Sequence, residues 1–189
     1  MQACPGCGRR LGGWSGYWRF VRHGGGCLKL FVARGRCGHC GVSHALLPAF
    51  CARNRLDVIE TIGAALDAVA AGSGVAPVAA AAGVPYTTVR GWVRRFAANA
   101  RRWVAAFAGL AVELGGSALV AAGDPRRVAV AAIAAAWERA CGLPGWLAVG
   151  RWRFASAVCG GALVAANTNS PWMVIGRRRF MPPVPRTGV

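Results

Sequence analysis

The clearest hydrophobic patterning near the start of the chain lies in "YWRFVRH" (17–23) and "CLKLFVARG" (27–35), two aromatic and β-branched runs separated by the glycines of "HGGG" (23–26). Such runs with a Gly-rich break predict a β-hairpin. "GVSHALLPAFCARNR" (41–55) reads as a connector, with Pro48 arguing against regular structure there. From residue 54 the period changes. Leu56, Ile59, Ile62, Leu66 and Val69 recur every three or four residues, the stripe of an amphipathic helix. Asn54 and Asp57 stand at its start like a capping pair, and "AGSG" (71–74) marks its end. "APVAAAAG" (76–83) predicts a short second helix and "VPYTTVRGWVRRFAANARRW" (84–103) a longer third. Asp124 and Pro125 fit the cap and first turn of a helix reaching about Cys141, stopped by Gly142 and Pro144. "WLAVGRWRFASAVCGGALVAA" (146–166) is weakly amphipathic, "NTNSPW" (167–172) reads as a turn, and residues 176–189 form a basic, Pro-rich tail.

The predicted hairpin is flanked by two C-x-x-C-G sequences, Cys4/Cys7 and Cys37/Cys40. Two such turns supply four soft ligands as two rigid pairs, the arrangement a tetrahedral zinc ion takes up. The glycine after each pair gives the backbone freedom to turn its N–H groups towards sulfur. The 29 residues between the pairs exceed the usual spacing of about 15–20, and a hairpin fills the excess. A redox reading needs one such pair beside a βαβ pattern, which is absent, and a cytosolic setting disfavours disulfides. The expected cofactor is therefore a structural Zn2+ on Cys4, Cys7, Cys37 and Cys40. His39 and His44 lie nearby, His44 as an alternative ligand or a phosphate-facing side chain. Cys27, Cys51, Cys141 and Cys159 sit in apolar stretches and read as small hydrophobes.

"VAAAAGVPYTTVRGWVRRF" (78–96) has the pattern of a helix-turn-helix. Ala79 is small where two helices cross, Gly83 permits the turn, and Val84, Val89 and Trp92 fit the positions that lock the second helix onto the first. Tyr86, Thr87, Thr88 and Arg90 would then meet the major groove, Arg90 as a guanine contact. Arg94, Arg95, Arg101 and Arg102 are placed for phosphates. The plainer alternative is a helical hairpin with a solvated arginine face. The expected fold is mainly α, a small N-terminal β zinc ribbon (1–47) and a helix-turn-helix domain (54–103) followed by Ala-rich helices (104–175) of unassigned role and the tail (176–189).

Charge sharpens the reading. The 189 residues hold 23 basic and 6 acidic side chains, a formal net charge of +17. The basic residues are nearly all arginine, Lys29 being the sole lysine, so part of the excess reflects codon usage in a GC-rich genome. The remainder favours polyanions, nucleic acid before membrane. Catalysis is not expected: the six carboxylates are dispersed, three of them (Asp57, Glu60, Asp67) capping and solubilising one helix. The histidines all precede residue 45, and no phosphate-loop motif occurs. Residues 1–13 are Gly/Cys/Arg-rich and unlike a secretory signal, so a cytoplasmic, nucleoid-associated location is expected. Residues 103–123 are long enough to span a bilayer but are Ala-rich and carry Glu113. A membrane-associated basic protein held by residues 103–166 stays as an alternative.

"CPGCG…RGRCGHCGVSHALLP" is similar to the zinc ribbon that opens many bacterial insertion-sequence transposases, and "VAPVAAAAGVPYTTVRGWVRRF" resembles the helix-turn-helix that follows it. The whole order also resembles a small zinc-ribbon/helix-turn-helix family of GC-rich bacteria described as transposase-like. This likeness covers about residues 1–103. It implies zinc on the four cysteines, base reading by Thr87, Thr88 and Arg90, and transposon-end or operator DNA as partner. Transposases continue into a catalytic domain with three acidic residues, which residues 104–189 do not resemble. The expected function is a sequence-specific DNA-binding regulator or mobile-element factor without its own catalysis, the alternative being a truncated or co-catalytic transposase subunit. A homodimer, and a protein partner docked on the ribbon, are further expected partners.

Overall fold

The aromatic runs do form a hairpin. In a computed structural model, which describes residues 3–117, 122–146 and 148–165, β1 (Leu11–His23) pairs antiparallel with β2 (Gly26–Cys37), with a bulge between Gly13 and Ser15. The ladder runs past the apolar runs as far as Leu11 and Cys37, at the edge of the cysteine turns. β3 (Ser43–Ala45) adds to β2 opposite Arg34–Arg36, giving the order β1-β2-β3. The sheet thus takes in part of the expected connector. One sheet face buries Val21 and Val32. Val21 joins Cys51 and Val58 in a small cluster that Leu30, Leu47 and Phe50 partly cover.

Six helices follow: α1 (Ile59–Ala70), α2 (Val75–Ala82), α3 (Tyr86–Ala98), α4 (Ala100–Glu113), α5 (Pro125–Ala140) and α6 (Arg151–Val158). With strands of 13 and 12 residues beside them, the described chain is mixed α and β rather than mainly α. One hydrophobic core runs through all six helices, with Ile59, Ile62, Trp92, Phe96, Trp103, Phe107, Ile133 and Phe154 nearly or wholly excluded from solvent. The expected division after residue 103 falls inside α4. Residues 167–172 and 176–189, expected as a turn and a tail, lie outside the described residues.

Three local expectations are corrected. α1 begins at Ile59, not Asn54, because β1 takes up the backbone before it. Arg22 N–H donates to the Leu56 carbonyl at 2.7 Å, and Val58 N–H donates to the Arg22 carbonyl at 3.1 Å. Leu56 is consequently exposed, and Asp57 is a buried carboxylate paired with the Arg22 guanidinium at 2.9 Å. Second, the long third helix breaks at Asn99, whose side-chain amide donates to the Arg95 carbonyl at 3.0 Å. Third, Glu60 and Asp67 do more than solubilise α1. Glu60 pairs with Arg153, while Asp67 accepts from Arg151 and, at 2.9 Å, from Trp152 Nε1.

These bonds dock α6, which sequence periodicity alone leaves indistinct. Trp152 lies against α1 at Gly63, where a Cβ would overlap the indole, and meets Phe96 of α3 edge-on. Phe154 faces Phe107 of α4 and Trp146. The Ala-rich face of α5, with Ala129, Ala132, Ala136 and Ala140 buried, packs along α4. No helix among the described residues is long and apolar enough to cross a membrane; α4, in the candidate span, has 14 residues.

Gly63→Ala tests this docking, because helix propensity alone would make the change stabilising by about 1 kcal/mol. Overlap with Trp152 reverses the sign, so urea unfolding should show a loss of about 1–3 kcal/mol. A second test concerns α5, where Asp124 accepts from the Arg126 N–H and pairs with its side chain. That side chain, then the N–H, holds the Asp124 carboxyl down from 3.8 to about 2. A carboxylate lowered by folding contributes stability above its unfolded value and loses it as pH falls through the folded value. Asp124→Ala should therefore lower Tm at pH 7, and its difference from the parent should shrink between pH 4 and pH 2.

Candidate metal centre and nucleic-acid interface

The two cysteine turns repeat one geometry. Cys4 N–H donates to the Arg9 carbonyl and Cys37 N–H to that of Val42, while Gly8 and Gly41 each donate back to the first cysteine of their turn at 2.9 Å. Gly8 and Gly41 hold φ of 77° and 70°, a left-handed conformation that a Cβ disfavours. β1 and β2 then carry the turns together. The four Sγ atoms lie within 4.8 Å of one another, with Cys4–Cys40 at 3.6 Å and Cys7–Cys37 at 3.4 Å. A tetrahedral ion with metal–sulfur bonds of about 2.3 Å sets sulfurs about 3.8 Å apart, so Cys4, Cys7, Cys37 and Cys40 can hold a metal ion. All eight cysteines are free.

The thiols divide electrostatically. The Cys40 N–H, aided by that of His39, draws Cys37 down to about 6 against burial. Burial opposes ionisation of Cys4, but the N–H groups of Cys7 and Gly6 outweigh it and lower its pKa. At Cys7 the Arg9 N–H favours the thiolate, yet burial and the neighbouring sulfurs push it up to about 12. Cys40 is raised in the same way, against the Val42 N–H. Adjacent sulfurs therefore keep protons that a bound dication would expel. His44 stands beside the quartet rather than within it, its Nε2 3.6 Å from Cys4 Sγ. Burial, then the charge of Arg53, lowers its pKa. The other cysteines divide: Cys51 and Cys159 are buried, whereas Cys27 is exposed and Cys141 half-buried, contrary to their apolar sequence settings.

In the helices, α2 ends at Gly83 in the left-handed region at φ 63°, and α3 starts after Pro85. Val78 and Ala79 of α2 and Val89, Trp92, Val93 and Phe96 of α3 are buried, while Val84 packs on the same core. Opposite this face, Tyr86, Thr87, Arg90 and Arg94 are exposed, and Thr88 is half-buried. Arg95 is half-buried, and its guanidinium covers Gly91. Arg101 and Arg102 are exposed on the first turn of α4. The ion pairs among the described residues involve Arg22, Arg126, Arg151 and Arg153, and none of the α3 or α4 arginines.

A third feature escaped the motif reading. A cleft of about 720 Å³ between the sheet and residues 53–56 is lined by Tyr17, Arg19, Arg34, His44, Arg53 and Arg55 among others, with no carboxylate. Arg34 donates to Ser43 Oγ at 2.6 Å and Arg55 to the Val164 carbonyl at 2.7 Å, which fixes their directions. Burial, then the charge of Arg95, lowers the pKa of Arg55. The available signal was the lack of any Asp or Glu before Asp57.

The chain matches no protein-family model, no curated protein and no solved structure. The transposase-like resemblance accordingly rests on the quoted residues alone.

Loading the reduced chain with zinc should give one ion per chain, and cobalt in its place should give the charge-transfer absorption of a tetrahedral thiolate site. Cys37→Ser should abolish the cobalt spectrum and expose the hairpin to proteolysis, with helical circular dichroism largely retained. An unchanged spectrum in Cys37→Ser would remove that cysteine from the centre.

Proposed function

We propose that this is a zinc-stabilised DNA-binding protein in which α2 and α3 form a helix-turn-helix and α3 enters the major groove. The observation that carries the reading is the division of α3. Its inner face is locked into the core by Val89, Trp92, Val93 and Phe96, and its outer face offers Thr87, Arg90 and Arg94 with no carboxylate paired to them. A rigid helix with a free basic face is the shape a groove accepts.

In this reading Tyr86, Thr87, Thr88 and Arg90, at the N-terminal end of α3, read base edges, with Arg90 bidentate on guanine. Arg94, Arg95, Arg101 and Arg102 hold phosphates and fix the register. Zinc on Cys4, Cys7, Cys37 and Cys40 is structural, a closed centre with no open coordination position. It ties the ends of the hairpin, whose small buried cluster offers little core of its own. The arginine-lined cleft gives the sheet a phosphate contact of its own. The biological role is that of a transcriptional regulator or mobile-element factor, without catalysis in the described chain. Engagement of Asp57, Glu60 and Asp67 by Arg22, Arg153 and Arg151 supports that last part.

Anisotropy titrations on a selected duplex and on a scrambled one test the assignment. Arg90→Ala should lose about 1–3 kcal/mol on the preferred duplex and narrow the gap between the two. Arg94→Ala should weaken both alike and reduce the salt slope by about one. Equal losses on both duplexes from both variants would contradict base reading by Arg90.

A further inference from the structure

The sheet face opposite Val21 and Val32 is open to solvent and aromatic. Trp18, Phe20 and Phe31 are 61%, 55% and 51% exposed. Pairing sets Trp18 opposite Phe31 and Phe20 opposite Lys29, and period two puts all four on one face. The rings are held in place. Phe31 lies across the β1 backbone at Gly16, where a Cβ would overlap it. Its ring meets Trp18 at a centroid separation of 5.3 Å and an interplanar angle of 65°. Lys29 Nζ sits 5.2 Å from the centre of the Trp18 ring. Large exposed rings in a contiguous patch mark an interaction site rather than ordinary surface.

The charge around the patch identifies the occupant. On this face period two places Lys29 and Arg22, the latter paired with Asp57, while Arg19 and Arg34 line the cleft on the opposite face. No carboxylate precedes Asp57 in the chain. A second copy docking through this face would set like charges against each other. A lipid surface would favour apolar side chains at the hairpin tip, which is Gly24–Gly26. Exposed rings on two neighbouring strands, with the Lys29 ammonium beside them, match bases and phosphates of a single strand. A duplex hides its base faces and cannot use them.

We infer that this face is a stacking platform for unpaired bases of single-stranded nucleic acid, with Trp18 and Phe31 as the stacking rings and Lys29 on the phosphate backbone. This goes beyond the groove-binding role of α3 and does not rest on it.

The test titrates the zinc-loaded full chain with fluorescent oligothymidylate and, separately, with a duplex of equal length, at several salt concentrations. Trp18→Ala and Phe31→Ala should each weaken oligothymidylate binding by about tenfold with an unchanged salt slope and unchanged duplex affinity. Lys29→Ala should reduce the single-strand salt slope by about 0.7, and Trp18→Phe should retain most of the affinity. Both rings are exposed, so zinc content and thermal melting of the variants should match the parent.

Parent-like oligothymidylate binding by Trp18→Ala and Phe31→Ala would overturn the proposal, as would equal losses on duplex and single strand. So would ring variants that turn a sedimenting dimer into a monomer, or abolish binding to anionic vesicles, while keeping oligothymidylate affinity. If Arg90→Ala and Arg94→Ala leave every duplex unaffected while the ring variants still lose the single strand, the α3 reading falls and the platform stands.

Discussion

Negative charge is scarce in this chain, and where it sits decides how the parts hold together. Half of the six carboxylates fall within eleven residues, 57–67, and each engages an arginine of another element. Asp57 holds the edge of the sheet through Arg22. Glu60 and Asp67 hold α6 through Arg153 and Arg151. The Asp57 contact is the most consequential, because its carboxylate is nearly sealed from solvent. A buried charge stripped of its partner is costly, so the sheet and α1 are coupled in position. Among the described residues, the ion pairs involve none of the arginines of α3, α4 or the sheet cleft.

That distribution makes the metal centre and the helical body complementary. The hairpin has only a small buried cluster around Val21, Cys51 and Val58, whereas the six helices share an extended core. The body can therefore present α3 rigidly on packing alone. At its far end, the hairpin can be closed on a metal ion by four cysteines in two matched turns. Arg22 and Asp57 join the two at the near end of the strands. Positive surfaces on both units are thereby held in fixed relation to each other.

Much of this was legible because its determinants are local. Paired cysteine turns, a Gly-rich hairpin break, the Asp124–Pro125 cap and the Gly83 turn each declare themselves within a few residues. What escaped was determined by tertiary partners. Leu56 fits the helical stripe of α1, yet β1 draws residues 56–58 into extended pairing and leaves it exposed. α6 looks indistinct because its significance lies in two aromatic side chains, and Trp152 needs Gly63, far away in sequence, to fit. The arginine cleft gathers residues from β1, β2 and the segment after β3, so no window of sequence contains it. The aromatic runs predicted strands correctly, but periodicity alone could not tell which of their rings would be covered.

The central claim is that a specific DNA sequence is recognised through α3, beyond attraction by charge. The most direct measurement is capture of genomic fragments by the zinc-loaded chain, sequenced after washing at low and at high salt. The account predicts a compact recurring motif that persists at high salt, because base contacts add discrimination that counterion release does not supply. A spread of unrelated fragments, all lost together as salt rises, would contradict it and reduce the interaction to the net charge of +17.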